Sequence, residues 1–129
     1  MWHGLYHRWN PLPQFEGKRL YVEAVHDDWE GVRVWLRAEK CDGEGIIILR
    51  FKTVEAYFSS DESNRLRKIK PEQTLNFPHA FWTVEKSQLI EILNDQSCET
   101  CLPNLKHYAI LSCTDCIDVL AQDVIIEYE

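Results

Sequence analysis

Apolar and polar positions alternate along two neighbouring stretches of the chain. From Arg19 to Asp27, Leu20, Val22 and Ala24 alternate with Tyr21, Glu23 and Val25. From Val32 to Glu39, Val32, Val34, Leu36 and Ala38 share one face and Arg33, Trp35, Arg37 and Glu39 the other. A period of two is that of a half-wet antiparallel strand. Asp27-Asp28-Trp29-Glu30-Gly31 between them carries turn chemistry, so the pair predicts a hairpin. Ile46 to Phe58 is rich in β-branched and aromatic residues and too long for one flat strand, which predicts a bulge near Lys52–Val54.

Helical signals occur twice. Ser60-Asp61-Glu62 can cap a short helix to about Lys68, with acid at its start and Arg65, Arg67 and Lys68 near its end, before Pro71 stops it. Ser87 is a good N-cap for Gln88–Gln96, where Leu89, Ile90, Ile92 and Leu93 form an apolar stripe suited to lying on a sheet. Phe81–Glu85 reads as a strand, and the last third as three more: Lys106–Ser112, Cys116–Leu120 and Asp123–Tyr128, broken at Thr114-Asp115 and Ala121-Gln122. The expected architecture is α+β, a single domain with a mostly antiparallel sheet of six or seven strands in a meander, and two helices. Trp2, Tyr6, Trp9 and Phe15, interrupted by Asn10-Pro11-Leu12-Pro13, follow neither period, so residues 1–18 read as an aromatic arm packed on a domain formed by 19–129.

Composition narrows the function classes. The 129 residues are 45% hydrophobic and 27% charged, a globular balance with room for one core. The net charge is −7, which opposes attraction to phosphate backbones and anionic lipid, so neither nucleic acid nor membrane is an expected partner. No apolar run approaches a bilayer span and the opening residues lack a signal-peptide pattern, so the expected compartment is the cytoplasm. The charge is unevenly placed: residues up to Val84 balance, while Glu85–Glu129 holds nine acidic and two basic residues, the whole imbalance. Strand alternation that turns Val124, Ile126 and Tyr128 inward would send Asp123, Glu127 and Glu129 outward together. With Asp115 and Asp118, and Trp82 as an aromatic anchor, these acids form an expected face for a basic partner; Trp29 and Trp35 are further candidate anchors.

Two local patterns carry other chemistry. Cys98-Glu99-Thr100-Cys101 and Cys113-Thr114-Asp115-Cys116 are two CxxC pairs eleven residues apart, and Cys98, Cys101, Cys113 and Cys116 could close a tetrahedron around zinc in a small structural or adaptor domain. The packed free thiol is the competing expectation, under which the protein has no cofactor. His79 or His107 would serve as an enzymatic base if the fold set one beside a carboxylate or thiol in a concave pocket. The common phosphate-loop, HExxH and GxSxG signatures are missing from the sequence.

The stretches FPHAFWTVEKSQLIEIL (Phe77–Leu93) and HYAILSCTDCIDVL (His107–Leu120) resemble small uncharacterised bacterial proteins, some similar to immunity proteins of polymorphic toxin systems. That resemblance covers about the C-terminal half. It implies a single α+β domain that neutralises a cognate toxin with no cofactor and no catalysis, and it brings no established binding residues with it. The expectation is therefore a non-enzymatic inhibitor whose acidic C-terminal face holds a basic partner protein. A zinc-stapled domain and an enzyme built on His79 or His107 stand as alternatives.

Overall fold

The computed structural model describes residues 2–15, 18–38, 45–61, 79–97 and 104–128. Seven strands form one antiparallel sheet: β1 (Leu5–Arg8), β2 (Leu20–Asp28), β3 (Gly31–Ala38), β4 (Ile46–Asp61), β5 (Phe81–Glu85), β6 (Lys106–Leu111) and β7 (Asp115–Tyr128). Among the described residues there is one α-helix, α1 (Gln88–Ser97), and a single 3-10 turn at Pro13–Phe15. The spatial order is β1-β5-β6-β7-β4-β3-β2. Two meanders, β2-β3-β4 and β5-β6-β7, are thus joined side by side through β4 and β7, and the strand of the N-terminal arm closes the far edge on β5.

The expected hairpin forms, and Val32, Val34, Leu36 and Ala38 are all buried on one face. A bulge at Glu23, between Val22 and Ala24, advances the alternation of β2 by one residue, so that Val25 as well as Val22 packs on the core. The same device bends β4. Its register on β7 slips between Val54 and Ala56, and Thr53 just before takes φ +55°. Phe51 and then Val54 on β4, and Ala121 and then Val124 on β7, pack on the same core, so both strands exchange faces at the bend. This is why Ala121-Gln122 does not end a strand. Ala121 pairs with both Val54 and Lys106, and the two strands expected over Cys116–Tyr128 are one.

The first expected helix is corrected at its start. Ser60 and Asp61 are the last residues of β4, opposite Cys116 and Asp115, because a ladder partner satisfies their backbone where a cap would have had to compete. The remainder of that expected helix lies outside the described residues.

The sheet curls. The Cys113 amide donates to the Leu20 carbonyl at 2.9 Å, tying the β6–β7 turn to the start of β2, and the Tyr57 hydroxyl of β4 donates to Asp27 of β2 at 3.2 Å. Inside the curl lies the main core, built from Val34, Leu36, Ile47, Leu49, Ile110 and Val119 with Tyr108. Trp9 packs its ring on Phe81 and Tyr108, and Phe15 packs on Tyr128, so these two N-terminal aromatics close this core, while Tyr6 joins the cluster on the opposite face. A smaller cluster of Tyr6, Trp82, Val84, Ala109, Leu111 and Cys116 occupies the opposite face.

Leu49 is fully buried in β4, and Leu49→Ala should cost about 2–5 kcal/mol of unfolding free energy in urea denaturation. Ile125→Ala, at an exposed position, should change it by no more than about 0.5 kcal/mol.

Candidate functional site

His107 lies on β6 opposite Val84 of β5 and Leu120 of β7, and its side chain shares the face of Ala109 and Leu111. Asp118 sits opposite Ala109, so the two side chains are diagonal neighbours across the β6–β7 ladder. Beyond β5, Lys86 turns the chain with φ +53°, and Ser87 follows as the cap of α1, where its hydroxyl accepts the Ile90 amide at 3.2 Å. The three side chains meet in a line. Ser87 Oγ is 2.7 Å from His107 Nδ1, and His107 Nε2 is 2.7 Å from Asp118 Oδ1. All three are buried, with His107 at 1% exposure and Asp118 at 6%.

Valence assigns the protons. A carboxylate can only accept, so His107 carries its proton on Nε2 and donates to Asp118, which leaves Nδ1 as the acceptor of the Ser87 O–H. The Ser87 oxygen accepts the Ile90 amide on one of its two lone pairs, and both ring nitrogens of His107 are engaged. Tyr6 lies beside this group: burial first, and then the charges of Asp118 and Cys116, push its phenol above the ordinary 10. Its hydroxyl donates to the Trp2 carbonyl at 2.7 Å.

The line opens at one end. Ser87 and His107 form part of the wall of an open pocket of about 620 Å³, together with Lys86, Ile90, Glu91 and Lys106. The helix is held over this opening from the N-terminal side. The Gln88 amide donates to the His3 carbonyl, and the Gln88 side chain accepts the His3 amide. Gly4 permits that approach, since a Cβ there would run into the Val84 side chain. Leu89 is buried, Ile90 and Leu93 are half-buried and Ile92 is exposed, so α1 buries a narrower stripe than its sequence pattern suggests.

The other sequence-derived candidates are scattered. Asp118 is bound to His107 inside the protein and Trp82 is 5% exposed in the small cluster, its indole donating to the His79 carbonyl. Neither presents itself to a partner, because both belong to strand positions that face the second layer of packing. Glu127 is paired with Arg50 of β4 at 2.9 Å, a counter-charge supplied by the front half of the chain. Asp115 is half-buried at the start of β7, and Asp123 is exposed. Along β7 Asp118 is buried between Asp115 and Asp123, and Glu127 is paired, so a single continuous acidic face does not form there. Glu129 lies outside the described residues.

Cys116 is packed among apolar side chains, and Cys113 is half-buried with its amide on Leu20. Cys98 and Cys101 lie outside the described residues, as does Cys41. Among the described residues no cluster of three metal-ligating side chains occurs. His79 is buried with Nε2 on the Trp9 carbonyl at 2.7 Å and its ring edge-on to Phe81 and Trp82, so it ties the N-terminal segment to β5 and meets no carboxylate there.

A feature that the acidic tail obscures lies at the tip of the β2–β3 hairpin. Trp29 is 92% exposed there, between Asp28 and Glu30. Gly31 takes φ +96° to close the turn, the Asp28 carboxylate accepts the Glu30 amide, and buried Arg33 bonds both Asp28 and Glu30 from below. Lys52, which pairs with Asp123, follows the Phe51 carbonyl that lies against Gly31. Asp27, Asp28 and Glu30 are therefore gathered at the hairpin tip, and Asp123 lies two strands across the sheet beside Lys52. Sequence reasoning named Trp29 only as one of three tryptophans, although its place between turn acids is the signal that marks it as a tip residue. No family model, curated protein or solved structure matches this chain.

Removing one partner of the buried line should be costly. His107→Ala leaves the Asp118 carboxylate unpaired, with an expected loss of about 3–5 kcal/mol in urea unfolding, whereas Ser87→Ala should cost about 1–2 kcal/mol as a lost helix cap. Tyr6 gives a pH signature. Its native phenol stays neutral where the unfolded one ionises, so its contribution to stability is complete below about pH 10 and is lost as pH rises further. Tyr6→Phe should flatten the fall of melting temperature between pH 9 and pH 11, as followed by circular dichroism.

Proposed function

We propose that this chain works by binding another protein, and that its contact surface is the acidic tip of the β2–β3 hairpin, with Trp29 at its centre. The observation that carries the reading is an almost fully exposed tryptophan on a turn fixed by a glycine, an aspartate-to-amide bond and a buried arginine. A large apolar side chain held out in water contributes almost nothing to folding and gains free energy when a partner's pocket covers it. Its pre-set turn lowers the ordering cost of that step. Asp27, Asp28 and Glu30 around it outnumber Arg33, so the partner surface that fits is basic and carries an apolar recess. This agrees with the immunity-like expectation of an acidic inhibitor of a basic toxin, and moves its contact from the length of β7 to the hairpin end.

Arrangements of this kind concentrate binding energy in a few aromatic residues while the acids set the association rate. The second reading, an enzyme with His107 as its base, is favoured by one specific observation: of the two candidate histidines, His107 is the one placed against a carboxylate at the wall of a pocket.

A photoreactive benzoylphenylalanine in place of Trp29 should capture one protein in the native cell, through a peptide rich in Lys and Arg. Asp27→Asn with Asp28→Asn should reduce the yield several-fold. The same captured set from a probe placed at Ile125 would overturn the assignment. With the captured partner purified, Trp29→Ala should weaken binding by about 2 kcal/mol, roughly thirtyfold in Kd, in titration calorimetry.

A further inference from the structure

We propose that Ser87 is a nucleophile for acyl transfer from small esters, with His107 as its base and Asp118 as the positioning residue that holds the imidazole. The proposal rests on the second reading above and adds to it the reacting atom and the substrate class.

Three observations converge on Ser87. Its hydroxyl already donates to an imidazole nitrogen at 2.7 Å, and the other ring nitrogen is held by a buried carboxylate at 2.7 Å. That is the nucleophile, base and orienting acid of a serine hydrolase, with the two ring nitrogens exchanged. The chemistry needs only that the nitrogen facing serine be unprotonated, and Asp118 ensures it by fixing the proton on Nε2. Ser87 and His107 also border the open pocket, which is the side from which a substrate carbonyl would approach Oγ. Lastly, Ser87 stands at the N-terminus of the ten-residue helix α1, where the helix dipole is positive and favours an oxyanion forming beside Oγ.

A helix cap alone does not call for this arrangement. A serine that only caps needs no histidine behind it, and a buried histidine needs no carboxylate if a backbone carbonyl is at hand, as His79 shows with Trp9. Burying a carboxylate carries a desolvation cost that apolar residues would avoid. Lys86 in a left-handed conformation immediately before Ser87 is a second local cost borne at the same place.

The step balances without a cofactor. As Ser87 Oγ bonds to the acyl carbon, its proton passes to His107 Nδ1; the ester C–O bond then breaks and the leaving alkoxide takes that proton from Nδ1. Water repeats the sequence in reverse, giving its proton to Nδ1 while its oxygen bonds the acyl carbon, after which the C–Oγ bond breaks and Oγ recovers a proton. One ester and one water become one acid and one alcohol. Val84, Ile90 and Leu105 make part of the wall apolar, and Lys86 and Lys106 line it together with Glu91 and with Glu85, which is paired with His7. The acyl groups that fit are short and carry little net charge.

The test uses the full chain with an alkyl fluorophosphonate, read by intact mass and peptide mapping, and with p-nitrophenyl acetate, read by release of nitrophenolate. The expected result is one adduct on Ser87 that is lost in Ser87→Asn, a variant that can still cap the helix. Asp118→Asn should lower kcat for the ester at least tenfold with KM unchanged, and Asp118→Glu should restore part of it. A folded wild-type chain that gains no adduct, or whose adduct persists in Ser87→Asn, overturns the proposal. Ester hydrolysis that vanishes in His107→Gln while Ser87 stays unmodified would overturn Ser87 as nucleophile and leave His107 as a base. Neither outcome affects capture by a probe at Trp29.

Discussion

The pairing of β4 with β7 is the constraint on which the rest of the structure depends. It runs from Ile47 opposite Tyr128 to Asp61 opposite Asp115, and it joins two meanders that would each present an open sheet edge without it. Strands this long cannot stay flat against a compact core, because each twists and its side-chain period is fixed at two. The bend at Thr53 and the slip at Val54–Ala56 resolve the conflict. The strands change direction and exchange faces together, and the curl that results brings the start of β2 back to the β6–β7 turn.

That curl divides the sheet into two environments. The inner face takes the aliphatic residues of both meanders, whereas the outer face of β5, β6 and β7 carries a small cluster and meets the capped start of α1 at Ser87. Polar groups there are far enough from water to require partners, and Ser87, His107 and Asp118 supply one another. The same three groups hold the helix end beside the pocket, so packing and chemistry at this place have one origin. Among the described residues no helix is long and apolar enough to cross a membrane.

Charge shows most plainly how pairing redistributes what composition suggests. The imbalance belongs to the C-terminal third of the chain. In the folded protein, however, Glu127 is met by Arg50 and Asp118 by His107, while acids from the balanced front half, Asp27, Asp28 and Glu30, stand out beside Trp29. Antiparallel pairing sets residues distant in sequence side by side, so local charge in the chain is a poor guide to local charge on the surface. The hairpin end is acidic because Arg33, whose guanidinium bonds two of its acids, is a single counter-charge drawn inside.

Periodicity alone was enough to read the β2–β3 hairpin, the bulged strand β4, strand β5, the Ser87 cap with its helix, and the inward face of Val32, Val34, Leu36 and Ala38, since each is set by neighbours within a few residues. It was not enough for the continuity of β7 through Ala121-Gln122 or for the strand character of Ser60 and Asp61, because both are decided by a partner strand more than fifty residues away. Nor could it bring Ser87 to His107 and Asp118, which stand twenty and thirty-one residues further along the chain and meet only because β5, β6 and β7 are adjacent. Residue types and local periods thus specified the elements and the candidate side chains. The ladder order of the sheet, a property of long-range hydrogen bonding, chose which of those side chains are neighbours and which face water.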